Sequence, residues 1–317
     1  MNNVTLAVGV LSALAMAPPL RSDAQSRVVL QPTERCRDHS AAAVVTFADP
    51  DLEEVVRAAL SVRAQEDLTC GRVSELTELS VPSGQERVVY GGTLRPSPAQ
   101  PFETLEGMQN LTNLTNLSIL NRLITDIGPL SELTELRVLS LHTNWISDIG
   151  PLSGLTNLKL LWIHDNDITD VSALSEMTDM IQLGLSDNSA TDISALSEMT
   201  SLEYLFLSNN EITDISPLGR LQDVTVLRLE NNRINDVTAL GSLANLRELG
   251  LAHNDALYDV QPLLANEGIG AGDELDLRFT YVACSDMAAF ERKGVQMLRV
   301  TALNGSACPG RRLEDPR

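Results

Sequence analysis

From Leu111 to Leu243 the chain repeats itself every 22 residues without a gap, and a strict period of that length admits few folds. Units begin at Leu111, Leu133, Leu155, Met177, Met199 and Leu221, and one with an extra residue begins at Leu243. The shared pattern is L-x-x-L-x-x-L-x-L-x-x-N-x-I-x-D-I-x-x-L. In the unit from Leu155 it is filled by Leu155, Leu158, Leu161, Ile163, Asn166, Ile168, Asp170, Val171 and Leu174. So short a unit cannot bury its own apolar face. Neighbouring units must stack, and stacking in register generates a right-handed solenoid with a parallel sheet on its inner side.

The spacing inside one unit carries its own reading. Leu161 and Ile163 share one face of a short strand, while Leu160 and Trp162 point to the other. One face is core and the other meets solvent. After the strand comes an asparagine, at Asn144, Asn166, Asn188, Asn210, Asn232 and Asn254, whose amide can bond the backbone of a sharp turn and of its neighbour. An aspartate column follows, Asp126, Asp148, Asp170, Asp192, Asp214, Asp236 and Asp259, as in Asp126-Ile127-Gly128-Pro129-Leu130. That pattern predicts an N-cap on one turn of helix. A stack of carboxylates invites a cation, but capping accounts for every member.

These motifs resemble the leucine-rich repeats of internalin-like bacterial proteins, the 22-residue class, over roughly residues 44–300. The resemblance implies an α/β fold: a right-handed solenoid with a parallel concave β-sheet, short 3-10 or irregular convex segments, a helical N-terminal cap and a C-terminal capping unit. Internalin-like proteins are often surface or secreted adhesins, so it also implies an outward-facing interaction role. Its motif is specific for fold and far less so for ligand.

Residues 1–24 hold an apolar run from Val4 to Ala17 and a small-residue site at Ser22-Asp23-Ala24, which predict a secretory signal peptide, although Met1-Asn2-Asn3 lacks the usual positive charge. The run is short for a membrane span, so no transmembrane segment is expected in the mature chain. Residues 25–75 are assigned to an N-terminal helical cap, with Asp49-Pro50 opening a helix that aligns Leu52, Val55, Val56, Ala59 and Leu60, and a second short helix after Thr69. The repeats take 76–282. A degenerate first unit starts with Leu76, Leu79 and Val81 and resumes at Phe102, Leu105 and Met108, around an insertion at about 82–101. Glu274 to Arg278 read as the last strand, Thr280 stands where the turn asparagine would be, 283–308 form a C-terminal cap with a helix from Ser285 to Lys293, and 309–317 are a tail.

The four cysteines avoid the repeat body: Cys36 and Cys70 precede it, Cys284 and Cys308 follow it. An even split between the two ends predicts the disulfides Cys36–Cys70 and Cys284–Cys308 and fits an exported protein. No C-x-x-C spacing supports zinc.

No phosphate-binding glycine loop, H-E-x-x-H or G-x-S-x-G is present, so no catalytic residue is assigned and no cofactor or metal is expected. The formal net charge of −20 argues against nucleic acid and anionic membranes and favours a basic partner, or plain solubility. With caps and repeats accounted for, little chain is left for a second domain, so function is expected on the solenoid surface of a monomer.

Three columns face outward from the strands. The first includes Val138, Leu160, Gln182 and Tyr204; the central one Ser140, Trp162, Gly184, Phe206, Arg228 and Gly250; the third His142, His164, Ser208 and Glu230. Aromatics are only 3% of the chain, yet Trp162, Tyr204 and Phe206 stand here and Trp145 just beyond a strand end. Large aromatics on a solvent face are candidate anchors. Strands lie about 4.8 Å apart, so Trp162 and Phe206 are expected to flank Gly184 across about 9–10 Å, a cleft for a side chain or sugar, unless the rings lean over and cover the glycine. His142 and His164 fall on adjacent strands but, with only Asp165 near, make a poor metal set.

The sequence therefore predicts a secreted or surface-exposed protein that binds another protein, or less favourably a glycan, through its concave face. Two alternatives stand beside it. One is an intracellular regulatory subunit, since similar repeats occur in phosphatase regulators; the other is an enzyme with a metal site at the two histidines.

Overall fold

The computed structural model describes residues 27–81, 87–90, 93–96 and 101–298. The expected signal peptide, Cys308 with its bond to Cys284, and the tail lie outside the described residues. Ten strands form one parallel sheet: β1 (Glu78–Val81), β4 (Asn116–Ile119), β5 (Val138–Ser140), β6 (Leu160–Trp162), β7 (Gln182–Gly184), β8 (Tyr204–Phe206), β9 (Val226–Arg228), β10 (Glu248–Gly250), β11 (Glu274–Asp276) and β12 (Gln296–Met297). Their order in space is their order in sequence, as a right-handed leucine-rich repeat solenoid requires. Register is equally regular, with Leu117, Leu139, Leu161, Leu183, Leu205, Leu227 and Leu249 paired in one row.

Short 3-10 turns such as Gly150–Leu152 and Ser172–Leu174 line the opposite side. Between sheet and turns lies one continuous core. Leu155, Leu158, Leu161, Ile163, Ile168, Val171 and Leu174 of a single coil are each at most 1% exposed. The asparagine column closes every coil. In Asn166 the amide donates to the carbonyls of Ile163 (3.0 Å) and Leu141 (3.1 Å) and accepts from the Ile146 N–H (3.0 Å). Each such residue thus satisfies three buried backbone groups, two of them in the preceding coil. The residue before it is left-handed throughout: Thr143, Asp165, Asp187, Asn209, Asn231 and His253 have φ between 56° and 60°, or 53° for Asn231.

The aspartates act one residue earlier than an N-cap would. Asp126, Asp148 and Asp170 each accept from the N–H two residues on, at 2.7–2.8 Å, and the capping position itself is the following Ile or Val, with no side-chain bond of its own. The column therefore builds Asx turns that launch 3-10 turns.

At the N-terminal end α1 (Pro50–Ala59) buries Leu52 and Val56, while Ala59 of the expected apolar face is exposed. Asp49 caps it by accepting from the Leu52 N–H (2.9 Å) and also accepts from the Glu103 N–H (2.7 Å), which fastens the cap to the chain that resumes after the insertion. Thr69 caps α2 (Cys70–Val73), and the Cys36–Cys70 disulfide is formed. Within the insertion, β2 (Arg87–Tyr90) and β3 (Thr93–Pro96) pair as an antiparallel hairpin that the sequence did not announce.

At the other end come α3 (Gln261–Ala265), β11 and α4 (Cys284–Arg292). The expected last strand is not last: β12 pairs with β11 and extends the sheet by one. Thr280 replaces the turn asparagine with a single bond, its hydroxyl donating to the Leu277 carbonyl at 2.7 Å.

Candidate functional site

Because the leucine row and its neighbours point inward, alternate strand residues must point out, and β6 shows the result: Leu161 is buried while Leu160 and Trp162 are half-buried on the open face. Register places Val138, Leu160, Gln182 and Tyr204 in one row and Trp162, Gly184, Phe206 and Arg228 in the next. Tyr204 is 37% exposed. Trp145 stands apart from this group. Its N–H donates to the Ile124 carbonyl, in the turn beyond the strand ends.

The expected cleft over Gly184 is closed. The Trp162 and Phe206 rings meet with centroids 5.3 Å apart, tilted by 35°, and the indole lies where a Cβ on Gly184 would be. The reason is physical: over a glycine there is no side chain to hold the rings apart, so they close on each other and bury apolar area. The site is a plate, not a slot. Its edge is extended by His164, whose ring meets Trp162 edge-on at 6.2 Å, and by His142, stacked on His164 at 4.2 Å. Burial and then the neighbouring His164 push the His142 imidazole down from 6.5 to about 4, so it is neutral at physiological pH. His164 faces Asp165 at 3.6 Å. Among the described residues no group of three potential ligands is placed to hold a metal.

Beyond Phe206 the face changes character. Arg228 contacts Glu248 at 2.6 Å and lies 3.7 Å from Glu230 and 3.8 Å from Glu274. Ser208 donates to Glu230 at 2.5 Å, and Arg278 grips Asp276 through two bonds of 2.7–2.8 Å. Arg228 and Glu230 are site residues on the sequence reading, but Glu248, which ends the first outward column, and Glu274, one strand further along the same row, are not. That reading also missed an exposed pair at the C-terminal turns, Tyr258 stacked on Tyr281 at 5.3 Å, because the extra residue of that unit breaks the columns there.

The chain matches the family profile of leucine-rich repeats, two copies, over residues 112–154 and 200–242. It is similar to an internalin C2 from Listeria monocytogenes, with 28% identity over 77% of this chain and 99% of that one and a TM-score of 0.60. An internalin (inlF) of the same organism is 25% identical over 80% of this chain and 92% of that chain, with a TM-score of 0.37. The leucine-rich repeat ectodomain of the plant membrane receptor kinase GASSHO1/SCHENGEN3 from Arabidopsis thaliana, in complex with CASPARIAN STRIP INTEGRITY FACTOR 2, is 18% identical over 73% of this chain and 27% of that chain, with a TM-score of 0.59, a likeness of fold alone. Comparison with curated protein sequences finds no match.

Proposed function

On the premise that this chain is an internalin-like leucine-rich repeat protein, we propose that it is an exported, non-enzymatic binding protein that holds another protein on its concave face, around Trp162, Tyr204 and Phe206. The observation that carries this reading is the Trp162–Phe206 plate on the outward side of the sheet, where solvated polar residues would cost nothing. Rigid aromatic area on an open face contributes to binding with little loss of side-chain freedom. The binding unit is a monomer, and the net charge of −20 favours a basic partner.

Export rests on residues 1–24 acting as a signal peptide, on the Cys36–Cys70 disulfide of the cap at 25–75 and on the Cys284–Cys308 bond expected from the sequence for the cap at 283–308, around repeats spanning 76–282. Among the described residues no helix is long and apolar enough to cross a membrane. Intact mass of the protein from its host, before and after reduction with alkylation, tests export. A chain starting near Gln25 whose thiols appear only on reduction supports it; an intact Met1 with free thiols sinks it and turns the search to cytosolic partners.

A photo-crosslinking side chain at Tyr204 tests the face. It should capture a discrete partner, protein or glycan, from the host's surroundings, whereas the same group at exposed Glu176, beyond the 3-10 turns, should not. Equal capture at both positions would overturn the assignment to the concave face.

A further inference from the structure

The central outward column carries two glycines, and each is roofed by a neighbour's side chain. Over Gly184 lies the Trp162 indole; over Gly250 lies the Glu230 carboxylate, in the space a Cβ would fill. The first glycine lets the apolar plate lie flat across β6 to β8. The second lets Glu230 turn toward β10, where it converges with Glu248 and Glu274 on Arg228. The face thus has two stations in one row, centred on β7 and β10 and so about 14 Å apart at the usual strand spacing.

The acidic station is not neutralised from within. Arg228 bonds Glu248 at 2.6 Å but stands 3.7 Å from Glu230 and 3.8 Å from Glu274, beyond hydrogen-bond length. The other guanidinium, Arg278, is turned to Asp276. Four carboxylates around two guanidiniums leave an excess of negative charge on a partly desolvated surface, where an added cation gains more than it would in open water. Glu248 and Glu274 keep 44% and 34% of their side-chain surface exposed, so a partner can reach them.

Resting on the concave-face reading above, we propose that this face is a two-station docking surface for a basic protein segment: a large apolar side chain seats on the Trp162–Phe206 plate, and an Arg or Lys of the same segment seats among Glu230, Glu248 and Glu274. In an extended segment crossing the strands, the two groups stand about four residues apart.

The test selects displayed random linear peptides, long enough to span both stations, on the full disulfide-bonded chain. Peptides recovered are titrated against wild type and three variants. The expected peptides join a cation to a large apolar residue at that spacing. With them, the combined Glu230→Gln, Glu248→Gln and Glu274→Gln variant should bind at least about tenfold more weakly and lose most of its salt dependence. Arg228→Gln should bind several-fold more tightly, a gain that damage to the fold would not produce. Peptides indifferent to both changes, yet lost on Trp162→Ala with Phe206→Ala, would overturn the two-station proposal and leave the concave reading standing. Peptides indifferent to all three variants, or a selection that returns no binder, would overturn both.

Discussion

Asn210 donates to the carbonyls of Leu185 and Leu207 and accepts from the Ala190 N–H, all within 3.0–3.1 Å. An alanine there strands three buried backbone groups, and the expected loss is on the order of 3 kcal/mol, read as a lower denaturation midpoint. A change under about 1 kcal/mol would mean that water replaces the amide. The His142 ring gives a pH signature. Its pKa is depressed, so its contribution to stability is complete above about 6.5 and is lost as pH falls toward about 4. Partial exposure limits that loss to on the order of 1–2 kcal/mol. His142→Gln should therefore narrow the gap in melting temperature between about pH 7 and about pH 4.5. Asp170, Asp214 and Asp236, held below the ordinary carboxylate range chiefly by hydrogen bonds from Ser172, Ser216 and Thr238, add their own loss at lower pH in both proteins. Gly184→Ala should lift the indole off the sheet and shift Trp162 emission in a Trp145→Phe background; an unchanged spectrum would show that the backbone yields instead. These side-chain outcomes mark the limit of the sequence as a guide. Period and spacing place every Cα in its column, which made the asparagine ladder readable, but how Trp162 leans depends on χ angles that a column cannot specify.

At the scale of elements, the N-terminal cap joins helix, disulfide and first coil. Cys36 and Cys70 are 34 residues apart in sequence, and replacing both by serine should cost about 3–4 kcal/mol in the chain-entropy account. The Cys36 N–H also donates to the Asn110 side chain at 2.6 Å, and Arg35 and Arg37 both pair with Glu132. Loss of the bond should thus expose the first coils to protease before the rest, and uniform cleavage along the chain would contradict that order. The capping helices were visible in the sequence because Asp49-Pro50 and Thr69 are strong local start signals. The hairpin and β12 were not. Arg87–Tyr90 and Thr93–Pro96 stand outside the period, and Gln296–Met297 is too short to show alternation; a strand of two residues exists only because β11 offers it an edge.

Across the whole molecule, each coil leans only on its neighbours, so stability is a sum of local terms along a line. The weakest stretch should be the unit from Met177, where Met177 and Met180 stand in columns filled mostly by leucine and Ala190 in one filled elsewhere by isoleucine or leucine, all three fully buried. Hydrogen exchange should be faster in β7 than in β6 or β9; equal protection would show that the core closes fully around Ala190. The sheet order and the leucine row followed from the period alone, whereas the division of the open face into aromatic and acidic parts had to wait for geometry, since Glu274 lies in a strand beyond the regular repeats. The asparagine bonds, finally, never reach past the preceding coil. Removing or duplicating one whole coil would rejoin every rung of the ladder in register while moving the two halves of the face relative to each other by one strand separation. The protein is in that sense a ruler, and the distance between any two marks on its open face changes in whole graduations of about 4.8 Å.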